Sequence, residues 1–173
     1  MLNRKVSVFL YATFHTHVRC KQFEKNFMGT FDFLKPKSKE QFEYVDGIGK
    51  LIYTYEFDEY AYRGKIYSKS LEYPIKIILP TTNRKISDYQ KAYFNNLEEN
   101  FKKILEEASK APNSKIVVAD CRINEVLIPH KENNIYDIDA EIVVSEKVKS
   151  KVYGKSIYSI IMKELNVIDI INI

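Results

Sequence analysis

One segment restricts the folds open to this chain more than any other. From Ser87 to Lys110, the residues Phe94, Leu97, Phe101, Ile104, Leu105 and Ala108 recur at three- and four-residue spacing. That spacing lays them along one stripe of an α-helix. Ser87 followed three residues later by Gln90 is a capping box, in which each side chain satisfies a backbone donor at the helix start. The run Ala111-Pro112-Asn113-Ser114 stops the helix. On the opposite stripe, Glu98 and Lys102, and Glu99 and Lys103, stand in register for ion pairs four residues apart. A helix with one apolar and one charged face must lie on another layer. The flanking sequence supplies strands to build it.

Before the helix, the chain reads as an antiparallel meander. Phe42–Val45 leads to an Asp46-Gly47 turn, and Leu51–Tyr55 follows as a strand with Leu51, Tyr53 and Tyr55 on one face. Asp58-Glu59 interrupts, Tyr60–Tyr62 resumes, Arg63-Gly64 predicts a further turn, and Lys65–Tyr67 and Tyr73–Leu79 complete the set. After the helix, Lys115–Ala119, Glu125–Ile128, Ile138–Val144, Ser156–Met162 and Val167–Ile171 are rich in β-branched residues. The last two predict a hairpin across Lys163-Glu164-Leu165-Asn166. The expectation is an α+β fold: an antiparallel β-meander, one long amphipathic helix over about 87–110, and a second antiparallel meander. Residues 40–173 would form a single domain behind an N-terminal extension, 1–39.

Charge separates that extension from the rest. Residues 1–27 hold five bases and one acid, a net of +4, and the remainder carries 22 of each sign. The balanced body offers no electrostatic footprint for nucleic acid, whose binding is dominated by phosphate neutralisation. Arg4-Lys5 before the apolar run Val6–Phe14 has the order of a secretory signal, but no small-x-small cleavage site follows. The run is too short to span a bilayer. Met28 followed by a lysine-rich spacer reads as a start of translation, which would make 1–27 an upstream extension. The alternative takes Val6–Phe14 as an edge strand. Two cysteines, Cys20 and Cys121, give neither a disulfide framework nor a four-thiolate zinc site, and a reducing cytoplasmic location is the expectation.

Several constellations invite chemistry. His15-x-His17-x-x-Cys20 has metal-like spacing but lacks a second ligand pair. Asp137-x-Asp139-x-Glu141 would place three carboxylates on one strand face, an arrangement that suits a hard cation. Plain alternation on a half-buried strand predicts the same pattern, with the acids toward solvent. His130 with Asp120 and Cys121 would make a catalytic set only if the fold brought them together. Gly47-Ile48-Gly49-Lys50 lacks the spacer of a phosphate loop. Tyr60-Ala61-Tyr62-Arg63-Gly64-Lys65-Ile66-Tyr67 interleaves aromatics with bases, as a single-strand nucleic-acid platform would. Tyrosine also supplies contact area at low entropic cost, which suits protein recognition. Tyr53, Tyr55, Tyr60, Tyr62 and Tyr67 are therefore the candidate partner-binding residues, with no catalytic, cofactor or metal residue assigned.

The order of the pieces resembles a bacterial domain of unknown function, family 2262. The resemblance lies in Phe42–Tyr53, Tyr60–Lys65, Pro74–Ile77 feeding the helix that holds Asn96-Leu97-Glu98-Glu99, and Val152–Tyr158. It spans about residues 40–173. Members usually carry Gly-His-Ser-Ile where this chain has Gly154-Lys155-Ser156-Ile157, so the one position hinting at chemistry is replaced. The resemblance implies an accessory or immunity protein encoded beside a toxin gene. The expected function is a non-enzymatic cytosolic binding protein that neutralises a partner toxin, needing no cofactor and no membrane. The alternatives are a small metal-dependent hydrolase using His130, Asp120 and the Asp137–Glu141 face, or a nucleic-acid-binding module.

Overall fold

A computed structural model describes residues 42–56, 59–81, 83–112, 114–132, 137–147 and 156–173. The extension, including Met28 and His15-x-His17-x-x-Cys20, lies outside the described residues, as does Val152–Lys155. Among the described residues eight strands form one sheet in sequence order: β1 (Phe42–Val45), β2 (Gly49–Glu56), β3 (Glu59–Ser68), β4 (Tyr73–Pro80), β5 (Cys121–Leu127), β6 (Ala140–Glu146), β7 (Ile157–Lys163) and β8 (Asn166–Asn172). Every neighbouring pair is antiparallel except β4 and β5, which run parallel over Lys76–Glu125, Ile77–Val126 and Ile78–Leu127. The helix α1 (Asp88–Lys110) makes the crossover between them. The fold is α+β, and the two meanders are halves of one sheet. The helix gives the parallel pair the long crossover connection it needs, since a tight turn can join only antiparallel neighbours.

The helix forms where the sequence places it. Ser87 accepts from the Gln90 N–H, and the Gln90 side chain returns the bond to the Ser87 backbone. Phe94, Leu97 and Phe101 are at most 1% exposed, each contributing roughly 2 kcal/mol by leaving water. They pack on Leu51, Tyr62, Ile75, Ile77, Val126 and Ile142 of the sheet, within one core. The charged stripe is used differently from the expectation. Glu98 accepts the backbone N–H groups of Lys69 and Ser70, tying down the β3–β4 turn, and Lys103 lies 3.8 Å from Glu107.

Two sequence readings are corrected. Arg63-Gly64 is not a turn: β3 runs unbroken through it, with Arg63 opposite Ile52 and Ile78. A Cβ on Gly64 would stand 2.8 Å from Leu51 Cδ2 and 2.9 Å from the Lys50 carbonyl oxygen. The glycine serves close approach of β2. Lys115–Ala119 is not a strand either. A 3₁₀ turn over Val118–Asp120 re-aims the chain into β5, and Lys147 N–H donates to the Asp120 carbonyl.

The β7–β8 hairpin forms across Lys163–Asn166 as expected, with an unusual turn. Both central residues, Glu164 (φ 51°) and Leu165 (φ 62°), sit in the left-handed region, which costs a side-chain-bearing residue about 1–2 kcal/mol. Two bonds from outside the turn offset this. Glu164 N–H donates to Asp139 at 2.7 Å, and Leu165 N–H to the Tyr93 hydroxyl at 3.3 Å. Asp139 also receives the Tyr89 hydroxyl at 2.8 Å. Burial pushes the Tyr93 phenol up to about 12, so it remains a neutral acceptor at ordinary pH. Replacing Glu164 by Asn and Leu165 by Gly removes the strain and keeps both backbone donors. Urea unfolding should show a gain of about 1 kcal/mol with an unchanged slope.

Candidate functional site: a tyrosine surface on the β2–β3 hairpin

Strand alternation sets the site. In the β2–β3 hairpin, Tyr53 lies opposite Tyr62 and Tyr55 opposite Tyr60, so the four side chains share one face of the sheet. This is the face that α1 covers further along. Tyr62 is 2% exposed and belongs to the core, whereas Tyr55 and Tyr60, at 57% and 50%, are not covered. Tyr53 packs partly against the core between them.

The rings are mutually ordered. Tyr53 and Tyr60 stack with planes 8° apart and centroids at 5.5 Å; Tyr55 tilts onto Tyr60 at 4.6 Å, and Tyr53 onto Tyr62 at 5.1 Å. Such pairs contribute about 0.5–1.5 kcal/mol each beyond the area they bury. Tyr62 anchors the group from below. Its hydroxyl proton is shared between the Glu43 carboxylate at 2.5 Å and the Arg84 carbonyl at 2.9 Å. Burial, then the bond to Glu43, push this phenol up to about 12. Tyr62 is therefore a permanent donor. The Arg84 guanidinium stands 4.8 Å from the Tyr53 ring centroid in cation–π contact. The result is an aromatic surface of mutually packed rings with the Arg84 guanidinium at its border.

Tyr67 is not part of it. It is 64% exposed, but its odd position on an unbroken β3 turns it to the opposite face, across from Pro74. Arg84 and Glu43 belong to the site and carry no signal of their own in the sequence. Arg84 lies in the link before α1, and only the fold brings it over Tyr53.

The residues considered for chemistry are dispersed. Asp120 precedes β5 and His130 follows it, which separates them by roughly 23 Å of extended chain. Cys121 is buried, which pushes its thiol up and away from the reactive thiolate. His130 Nδ1 accepts the Glu132 N–H at 3.3 Å. The three carboxylates of Asp137–Glu141 do not share a solvent face. Asp137 pairs with Lys163 at 2.7 Å, and Asp139 holds Tyr89 and the β7–β8 turn. Glu141 is 2% exposed and receives the Ser159 hydroxyl. The reason is local: β6 begins only at Ala140, so alternation does not govern Asp137 and Asp139.

The crevice at the carboxyl ends of parallel β4 and β5, where open α/β sheets take ligands, is filled. Gln90 is fully buried there, and its amide donates to the Pro80 and Ile128 carbonyls, both at 2.9 Å. Among the described residues no group of three or more His, Cys, Asp or Glu is placed to hold a metal ion. No helix among them is long and apolar enough to cross a membrane. No family model matches the chain, and no curated protein or solved structure matches it.

Proposed function

We propose that this chain is a non-enzymatic binding protein that captures a protein partner on the Tyr53–Tyr55–Tyr60 surface, acting as an immunity protein against a toxin encoded beside it. The observation that carries the reading is the ordered, uncovered stack itself. Rings that serve only a core are buried, and Tyr55 and Tyr60 are half exposed. Rings already fixed against one another lose little freedom on binding, and tyrosine is among the residues that dominate interface energies.

The test is direct. The purified chain and the product of the neighbouring toxin gene should co-elute as one complex, and cells expressing both should survive. Separate elution with undiminished toxicity would defeat the immunity reading. Dispersal of Asp120, His130 and Asp137–Glu141 removes the support for the hydrolase alternative built on them, and the balanced charge of residues 28–173 gives none to nucleic acid.

A further inference from the structure

We propose that Asp169 guards the outer edge of β8 against pairing with the β8 of a second copy of this chain. Among the described residues strand β8 ends the sheet, hydrogen-bonded to β7 on one side. Ile173 N–H donates to the Ile157 carbonyl, so alternation turns the main-chain groups of Asp169 and Ile171 toward β7 and those of Ile170 and Asn172 outward. The strand reads Asn-Val-Ile-Asp-Ile-Ile-Asn, with no lysine, arginine or proline. Its side chains are apolar on both faces, and Ile168 is 52% exposed. A long apolar edge of this kind is a template for another strand, and the strand that fits it best is its own copy, which continues the sheet across a two-fold axis.

Two features oppose that pairing. The register slips between Ile161 and Met162, which leaves Ile168 as an extra residue and bends the start of the edge. Beyond the bulge, Asp169 Oδ1 accepts the Ile170 N–H at 2.8 Å. Ile170 is the outward donor nearer the middle of the strand, and the symmetric antiparallel register centred on it must use its N–H. With the two-fold at Ile170, Asp169 would face Ile171 of the second copy. The two Asp169 carboxylates would then lie on one sheet face at a diagonal of roughly 7–8 Å, where like charges repel. One carboxylate thus occupies the key donor and charges the seam.

The experiment is the oligomeric state of the full chain by size exclusion with light scattering. Wild type should run at the monomer mass. Asp169→Val frees the Ile170 donor and removes the charge, and should run at twice the monomer mass at the same concentration, with an unchanged far-ultraviolet circular dichroism spectrum. Adding Asn172→Pro, which deletes the other outward donor at an edge position that tolerates proline, should restore the monomer. Asp169→Asn keeps the volume and drops the charge. It should dimerise at least threefold more tightly than wild type, and it carries the test if the valine chain precipitates. A monomeric Asp169→Val, an Asp169→Asn chain no tighter than wild type, a dimer that survives Asn172→Pro, or a wild type already paired through β8 would each overturn the proposal.

Discussion

Gly64→Ala should destabilise the protein by about 3 kcal/mol and lower its melting temperature by roughly 10 °C, although it adds one methyl group to a position that reads as a turn. That Cβ would meet Leu51 Cδ2 at 2.8 Å and the Lys50 carbonyl oxygen at 2.9 Å. Leu51 is fully buried beneath α1, so its side chain has no space to yield. The Lys50 oxygen belongs to the backbone of β2, which can retreat only by loosening the sheet. A second substitution separates the two contacts. Leu51→Ala removes the side-chain clash and leaves the carbonyl in place, so Gly64→Ala should cost less in the Leu51→Ala background than in wild type and still destabilise it. Thermal unfolding of the four chains measures this. Full tolerance of Gly64→Ala would mean that β2 and β3 are not packed as closely as described.

Gln90→Ala should cost a similar amount, about 2–4 kcal/mol, from a residue that sequence alone marks only as half of a cap. Its side chain has two jobs. The oxygen accepts from Ser87 N–H at 3.0 Å, and the amide nitrogen donates to the carbonyls of Pro80 and Ile128. Losing the cap costs about 1 kcal/mol. Leaving two buried carbonyls without donors costs about 1–3 kcal/mol more. Gln90→Glu is more informative because it keeps the shape. A carboxylate would set negative oxygens against two carbonyl oxygens, so its folded-state pKa must rise above the usual value of about 4.3. A group raised in this way has its stability fully present below the unfolded pKa and loses it as pH rises toward the folded one. The Glu variant should therefore be least stable near neutrality and partly recover in acid. Chemical denaturation of wild type and both variants at pH 7 and pH 4 checks the sign.

These two residues also show where sequence reasoning stopped. Periodicity was enough for α1, because Phe94, Leu97 and Phe101 need nothing beyond helical geometry to define a face. Alternation was enough for the existence of most strands and for the β7–β8 hairpin. Gly64 misled because a glycine after an arginine has the composition of a turn, and the close approach it serves is non-local. Breaking β3 there also lost the parity of the strand. Tyr60 and Tyr62 are even and Tyr67 is odd, so one unbroken strand places Tyr67 on the far face. Lys115–Ala119 has the β-branched content of a strand but finds no edge, since β5 already fills the place beside β4. The parallel junction and the contact of Arg84 with Tyr53 join residues far apart in the chain, and no local pattern announces them.

The central proposal is that the stacked tyrosines are a surface for a partner, and calorimetric titration with the toxin that the proposal places beside this chain tests it most directly. Tyr55→Ser with Tyr60→Ser should weaken the complex at least about 100-fold, as removal of two interface anchors does, while Tyr67→Ser on the opposite face should bind as wild type does. A Tyr55/Tyr60 double variant that folds normally and binds with undiminished affinity would contradict it.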